Sequence, residues 1–367
     1  MRTEHVLRVG DSTSSTIDDD SIDLVVTSPP YPMIEMWDEQ FAAQSPAVDR
    51  ALAEGRGDDA FEAMHAVLDR VWDDVERVLE PGGVVCVNIG DATRSIGGEF
   101  RCFPNHARVT RALRERGLTP LPNVLWRKPT NRLTKFMGSG TLPTNAYVTL
   151  EHEYVLVFRK GTPREFPPGD ETRYESAFFW EERNEWFSDL WELPGTTQTR
   201  DGDGRERAGA YPVALPLRLI RMYSTYGDRV YDPFLGTGTT TLAAMLAGRD
   251  SVGRELDPDL LAGFGGRIAD LPDRAAERVT ERLDDHRTFL RGRDTEPEYE
   301  AVHYDFPVVT KQERRIRLYD VTDVADTTDL ADTTDLADTD ARPDSGGEHA
   351  ADAGEDDRRY VVSYEPR

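Results

Sequence analysis

Two short stretches carry residue types able to do chemistry. Residues 24–32 read LVVTSPPYP, where an apolar run that fits a buried strand, Leu24 to Val26, breaks into Ser28-Pro29-Pro30-Tyr31. The prolines have no N–H, fix their own φ and bias the residue before each toward extended backbone. Such a segment holds its oxygen atoms in fixed places and leaves an aromatic ring in the open. Residues 228–240 read DRVYDPFLGTGTT: a strand, then Asp232-Pro233-Phe234, then Gly236-x-Gly238, with Thr239-Thr240 opening a helix. Glycines allow a sharp turn and close approach to a ligand, and a helix start presents free N–H groups. Glu255 ends the next strand roughly 20 positions on, a spacing that suits hydrogen bonds to ribose hydroxyls. No P-loop sequence occurs, and Thr241 stands where the dinucleotide fingerprint has its third glycine. A nucleoside ligand without a pyrophosphate clamp remains, and S-adenosylmethionine meets that description. Taken alone, each stretch has a plainer reading, a surface polyproline-like turn and an ordinary tight turn.

The elements that must position these stretches alternate. Val6–Val9 and Ile22–Val26 read as strands. Apolar residues at Phe61, Met64, Leu68, Val71, Trp72, Val75, Val78 and Leu79 have helical spacing, Pro81-Gly82-Gly83 stops that helix, and 84–89 follows as a buried strand. A helix over about 105–116, strands at Asn123–Trp126 and Tyr154–Phe158, a helix over about 212–226, a strand at 229–232, a helix at 239–247, a strand at 251–255 and a helical stretch over about 258–292 complete the pattern. Strands alternating with helices imply an α/β fold, a mixed and mostly parallel doubly wound sheet with helices on both faces. Residues 160–205 read as a loop-rich insertion. Residues 1–320 form one expected unit, 321–358 an acidic tail with ADTTDL in tandem and too little apolar surface to order, and 359–367 a final segment that could pair as a strand.

The chain of 367 residues has a net charge of −25. Fourteen acidic and four basic residues from Val321 onward give that end −10, so acidity also covers the rest. Only four lysines occur, Lys128, Lys135, Lys160 and Lys311. Acid-rich, lysine-poor composition resembles that of proteins from extreme halophiles. At about 1 M salt charges are screened within about 3 Å, so the negative charge does not by itself exclude nucleic acid. Cys86 and Cys102 have no partners at metal-ligand spacing, which argues against a zinc site or a disulfide framework. No metal is expected. Neither a signal peptide nor a membrane span is readable, and the expected compartment is cytoplasmic.

TSPPY early and DPFLGTGTT late together resemble the DNA amino-methyltransferases of the β group, in which the catalytic motif precedes the cofactor motif in circularly permuted order. The resemblance covers about residues 5–262, and further stretches fit it: LEPGGVVCVNIGDAT (79–93), NVLWRKPTN (123–131), LEHEYVLVFRKG (150–161), LWELP (190–194) and AYPVALPLRLIRMYS (210–224). SPPYPMIEMWDE is also similar to archaeal enzymes that modify CTAG. The resemblance implies a Rossmann-like S-adenosylmethionine-dependent methyltransferase fold, S-adenosylmethionine as cofactor and double-stranded DNA as partner. It also implies target recognition between the motifs, at about 127–147 and 160–205.

The roles follow from that resemblance. Ser28 Oγ and the Pro29 carbonyl would accept from the target amine, held in place by Pro29 and Pro30, and Tyr31 would stack on a base drawn out of the duplex. Glu255 would take the ribose hydroxyls. Asp232, Phe234, Gly236 and Gly238, with Thr239, would form the turn around the methionine moiety. Asp11 would reach the adenine amino group or merely cap a turn. Tyr211, beside Pro212, would form a pocket wall or a helix entry. Arg127, Lys128, Arg132 and Lys135 would contact DNA phosphates or form a solvated face; Arg200, Arg205 and Arg207 are weaker candidates. His152 reads as structural. Serine at position 28 resembles the cytosine-N4 members, whereas adenine-N6 members mostly carry an acidic or amide residue there. Cytosine-C5 methylation needs a cysteine nucleophile in a Pro-Cys context, and deamination needs zinc ligands; neither occurs. Adenine-N6 methylation, methylation of RNA or a small amine, and a non-catalytic DNA-binding relic are the alternatives. A cognate endonuclease, or none, and a monomer or a homodimer are all compatible with the sequence.

Overall fold

In the computed structural model, which describes residues 1–128, 138–198, 207–328 and 357–367, the strand carrying Ser28 and the strand carrying Asp232 lie side by side. The strands of the chain are β1 (Arg2–Val9), β2 (Ile22–Thr27), β3 (Leu79–Ile89), the hairpin β4 (Ala92–Ile96) and β5 (Glu99–Phe103), β6 (Thr119–Pro120), β7 (Val124–Arg127), β8 (His152–Arg159), β9 (Leu190–Glu192), β10 (Arg229–Asp232), β11 (Asp250–Glu255), β12 (Tyr319–Asp326) and β13 (Arg358–Pro366). Further short strand pairs outside this set do not bear on the site. The main sheet runs β12-β13-β1-β11-β10-β2-β3-β8-β7-β9, with β6 on β8. β1, β11, β10, β2 and β3 are mutually parallel, and β8 and β13 close that block with antiparallel pairings.

Helices fill both faces because strand side chains alternate. Val25, Val85, Val87 and Ile89 face a cluster built with α3 (Gly57–Val78) and α4 (Asn105–Glu115). Leu24, Val26, Val84 and Cys86 face the opposite way, onto α7 (Ala214–Tyr223) and α8 (Thr239–Ala247). The helical spacing read in the sequence becomes the buried face of α3: Met64, Leu68, Val71, Trp72, Val75 and Val78 are at most 3% exposed. Each such side chain contributes about 1.5–3 kcal/mol by burial. Asp58 and Asp59 sit in the first turn of α3, where the helix dipole favours negative charge. Between β2 and α3 lie α1 (Asp38–Gln44) and α2 (Pro46–Ala53).

Four expectations are corrected. Strand β3 starts at Leu79, directly after the helix, and carries Pro81-Gly82-Gly83 within it across a register shift. The 160–205 segment is not all loop: α5 (Glu171–Glu175), α6 (Trp180–Trp186) and β9 lie in it. The helical stretch after 258 divides into α9 (Pro258–Ala262), α10 (Phe264–Ile268) and α11 (Leu271–Arg291). The acidic segment expected from 321 begins inside a strand, because β12 pairs with β13 from Tyr319↔Pro366 to Asp326↔Tyr360. The ADTTDL repeat lies largely outside the described residues. The final segment does pair, and β13 also joins β1.

The α6 segment is held by the C-terminal part. Glu182 accepts from Arg282 Nε at 2.6 Å and Nη2 at 2.8 Å. Glu181 takes the Nδ1–H of buried His286 at 3.0 Å, and Glu313 accepts from Trp180 N at 2.7 Å. Glu181, His286 and Glu313 come within metal-ligand reach of one another. Their donor atoms are nonetheless engaged: His286 Nε2 donates to Pro307 O, and Glu313 also takes Thr310.

Candidate active site

The strand order reverses between β2 and β10. From β2 the chain passes to β3 on one side; from β10 it passes to β11 on the other. Ligands of open α/β sheets bind outside the carboxyl ends of strands at such a switch point. A cavity of about 760 Å³ opens there, lined by Asp11, Ser28 to Tyr31, Tyr211, Phe234, Gly236, Thr239 and Glu255 among others. Ile34, Trp37 and Phe41 from the start of the β2–α3 connection, with Val67, Leu68 and Val71 of α3, supply an apolar wall. The volume lies within the usual range for ligand pockets.

The register Leu24↔Val230 and Val25↔Tyr231 brings both strands to the cavity together. Buried Asp232 locks the two ends. Its carboxylate accepts from Thr27 Oγ1 at 2.6 Å, Thr240 Oγ1 at 2.6 Å, Phe234 N at 3.0 Å and Tyr211 Oη at 3.3 Å. Burial raises its pKa, and these four donors work against that rise. Asp232 stands behind the cavity wall and is not among its lining residues. It ties the two motifs together through Thr27 on one side and Thr240 on the other. Gly238 also stands behind the wall. Its φ is +84°, and a Cβ there would lie 2.4 Å from the Phe264 ring of α10. Gly236 does face the cavity, with φ +56° and no neighbour within 4 Å of a built Cβ.

Glu255 Oε2 accepts from Gly236 N at 2.8 Å and Oε1 from Asp257 N at 3.0 Å. The carboxylate therefore pins the glycine turn and keeps lone pairs for a ligand. Burial, and beyond it the nearby Asp257 and Asp232 charges, push its pKa up, against the two backbone donors. Exposed Asp11 lines the cavity, and its Oδ1 also takes Thr13 N at 2.9 Å, so the turn cap and the cavity position coexist. A nucleoside sulfonium fits these groups: Glu255 can accept from ribose hydroxyls and Asp11 from an amino group, beside the aromatic surface of Phe234 and Tyr211.

On the other half, Ser28, Pro29, Pro30 and Tyr31 all line the cavity. Buried Asn105 donates to Pro32 O at 3.1 Å and Gly90 O at 2.9 Å, which fastens the turn to the end of β3. Gly90 leaves room for the Tyr31 ring, since a Cβ there would sit 3.0 Å from Tyr31 Cε2. Tyr31 Oη donates to Glu153 Oε2 at 2.8 Å and accepts from Asn88 Nδ2 at 2.8 Å. Ser28 Oγ lies 3.3 Å from Tyr31 Oη. Lys128 Nζ pairs with Glu153 Oε1 and covers the Trp126 ring at 4.4 Å.

The cavity thus collects the four expected catalytic residues and, for the cofactor, Asp11, Tyr211, Phe234, Gly236, Thr239 and Glu255. Of the basic cluster, Arg127 is half exposed and paired with Glu192 at 2.9 Å and Glu151 at 3.6 Å. Lys128 turns to Glu153. Arg132, Lys135, Arg200 and Arg205 lie outside the described residues, as does the side chain of Arg207. His152 packs edge-on against Tyr154. Cys86 and Cys102 are free thiols, buried and exposed respectively. Two residues of the site went unread in the sequence, Asn88 and Glu153. A polar side chain inside the apolar run VVCVNI was the available signal for the first.

Comparison with known proteins agrees with this geometry. Residues 22–263 match the N6_N4_Mtase family, described as DNA methylase. The Type II methyltransferase M.MthZI of Methanothermobacter thermautotrophicus is 49% identical over 325 residues, 87% of this chain and 91% of that one. M.MjaI of Methanocaldococcus jannaschii is 48% identical over 272 residues, 71% of this chain and 89% of its own. Among solved structures, TTHA0409 of Thermus thermophilus, a candidate DNA modification methylase with S-adenosyl-L-methionine bound, superposes with a TM-score of 0.57 at 32% identity over 72% of this chain and 93% of that one. The cytosine-N4-specific PvuII DNA methyltransferase shares the fold, with a TM-score of 0.50 at 20% identity over 77% of this chain and 93% of that one. The chain belongs to the N6/N4 DNA methylase family and is an S-adenosylmethionine-dependent DNA methyltransferase.

Proposed function

We propose that the enzyme methylates the exocyclic N4 of cytosine within a short duplex sequence, by direct transfer to a base extruded from the stack. The observation that carries this reading is the shared cavity: Ser28 and Tyr31 on one wall, Gly236 and Glu255 on another. S-adenosylmethionine, when bound, supplies an electrophilic methyl group. Glu255 holds its ribose, Asp11 its adenine amino group, and Tyr211, Phe234, Gly236 and Thr239 surround the remainder.

Ser28 Oγ and the Pro29 carbonyl accept from the target amine and free its lone pair from conjugation with the ring. The prolines and the Asn105 clamp fix those acceptors before the base arrives. Tyr31 stacks on the base, a contact worth about 1–3 kcal/mol. Serine at position 28, in place of an acid or amide, favours cytosine over adenine. CTAG is the sequence that the resemblance to archaeal modification methylases suggests, and the names of M.MthZI and M.MjaI support a place in a type II restriction-modification system. Segments 127–147 and 160–205 read the target, with Arg127, Arg132 and Lys135 on phosphates; a phosphate at Arg127 displaces its rim carboxylates. Lys128 serves Glu153 instead. Digestion of enzyme-treated duplex DNA to nucleosides tests the reading: N4-methylcytosine is expected, and N6-methyladenine overturns the choice of base.

A further inference from the structure

Methyl transfer to an exocyclic amine leaves the nitrogen cationic with one proton too many. Nothing in the motif residues alone says where that proton goes. The structure holds a connected chain of polar groups leading away from Ser28. Ser28 Oγ is 3.3 Å from Tyr31 Oη, and Tyr31 Oη is 2.8 Å from Glu153 Oε2. Asn88 Nδ2 donates to Tyr31 Oη and to Glu153 Oε2, both at 2.8 Å. Lys128 closes the far end on Glu153 Oε1.

The direction of every hydrogen bond in this chain follows from one group. An ionised carboxylate only accepts, so Tyr31 must donate to Glu153. With its own proton committed, Tyr31 Oη accepts from Asn88 and from the Ser28 hydroxyl. Ser28 then turns lone pairs, and no proton, toward the cavity. Burial and then the Glu153 charge push the Tyr31 phenol well above its ordinary range, so it stays protonated between turnovers. Lys128 places a positive charge against the other oxygen of the largely buried Glu153 carboxylate.

We infer that Glu153 is a positioning residue for the methyl-transfer site: it orients Ser28 as an acceptor and receives, through Tyr31 and Ser28, the proton released by the methylated amine. The inference rests on the proposed contact between Ser28 and the target amine. As the C–N bond forms and the C–S bond breaks, the amine becomes cationic. Its N–H bond then breaks, the electron pair stays on nitrogen, and the proton passes to Ser28 Oγ. Ser28 gives its own proton to Tyr31 Oη, and Tyr31 gives its own to Glu153. Glu153 later releases that proton to water. No oxidant, reductant or second substrate is required.

Glu153→Gln keeps the size of the side chain but cannot take a proton, and its amide can donate to Tyr31 and reverse the chain. Single-turnover transfer of labelled methyl to duplex DNA should fall about 100-fold, the scale of a lost general base. S-adenosylmethionine affinity by calorimetry should stay within about threefold of wild type, well below the tenfold change that about 1.4 kcal/mol produces. Glu153→Asp should recover most of the rate. Tyr31→Phe interrupts the same path, so the double variant Tyr31→Phe with Glu153→Gln should be no slower than the slower single variant. Wild-type rates in Glu153→Gln, additive losses in the double variant, or a parallel loss of cofactor binding with no recovery in Glu153→Asp would each overturn the path. Wild-type enzyme that transfers no methyl to duplex DNA overturns the functional reading, and the path with it. Wild-type N6-methyladenine corrects only the base, because the adenine amine loses a proton in the same way.

Discussion

Glu255 does two jobs with one carboxylate. It fixes the Gly236 turn through a 2.8 Å backbone hydrogen bond and presents its remaining lone pairs to the cavity. Replacing it with glutamine keeps the size but removes the charge-assisted hydrogen bond, a loss of about 1.5–3 kcal/mol. Glu255→Gln should therefore weaken S-adenosylmethionine binding by about 10- to 100-fold. The sign of the pH dependence follows from burial. The Glu255 pKa is raised above the ordinary carboxylate value, so the group protonates at less acidic pH than a free glutamate. Only the ionised form accepts both ribose protons. Cofactor affinity should fall as pH drops through that raised pKa, and the glutamine variant should show a flatter profile. Calorimetric titration from neutral to mildly acidic pH checks both; an unchanged profile in the variant would remove Glu255 from the ribose contact.

The two glycines of the turn before α8 separate ligand approach from packing. Gly238 has a left-handed backbone and lies under the Phe264 ring, whereas Gly236 has a left-handed backbone in open space. Gly238→Ala should lose about 1–2 kcal/mol to backbone strain and about 1–3 kcal/mol more to overpacking. Gly236→Ala should lose only the strain, yet still impair cofactor binding because its Cβ enters the cavity side. Denaturant unfolding of the two variants decides the point, and equal losses would contradict it. The same elements show what local sequence encodes. The α3 spacing, the β2 and β10 apolar runs and the two motifs were legible because each states its own period or turn chemistry. Helix α6 was not: EERNEW is charged, and it is held by Arg282, His286 and Phe306 from a part of the chain 100 residues away or more in sequence. Asn88 and Glu153 were missed for a related reason. Their contact depends on the antiparallel register of β3 with β8, Asn88↔Val155 and Ile89↔Tyr154, which no local pattern specifies.

At the scale of the molecule, two distances in sequence collapse at one switch point. Ser28 and Gly236 reach the same cavity because β2 and β10 are parallel neighbours, and the Thr27–Asp232 hydrogen bond of 2.6 Å ties their ends. The net charge of −25 acts on the whole fold. Self-repulsion is screened as the Debye length shrinks from about 10 Å to about 3 Å between roughly 0.1 M and 1 M salt. The thermal midpoint should rise over that range, and a flat or falling midpoint would contradict a fold adapted to high salt. No helix among the described residues is long and apolar enough to cross a membrane. The most direct test of the shared cavity is single-turnover methyl transfer by Ser28→Ala at high salt, with cofactor affinity measured alongside. The expected result is a rate lower by about 100-fold or more at unchanged affinity for S-adenosylmethionine. Transfer at the wild-type rate would mean that the Ser28 wall does not hold the amine, and the two-walled site would fall.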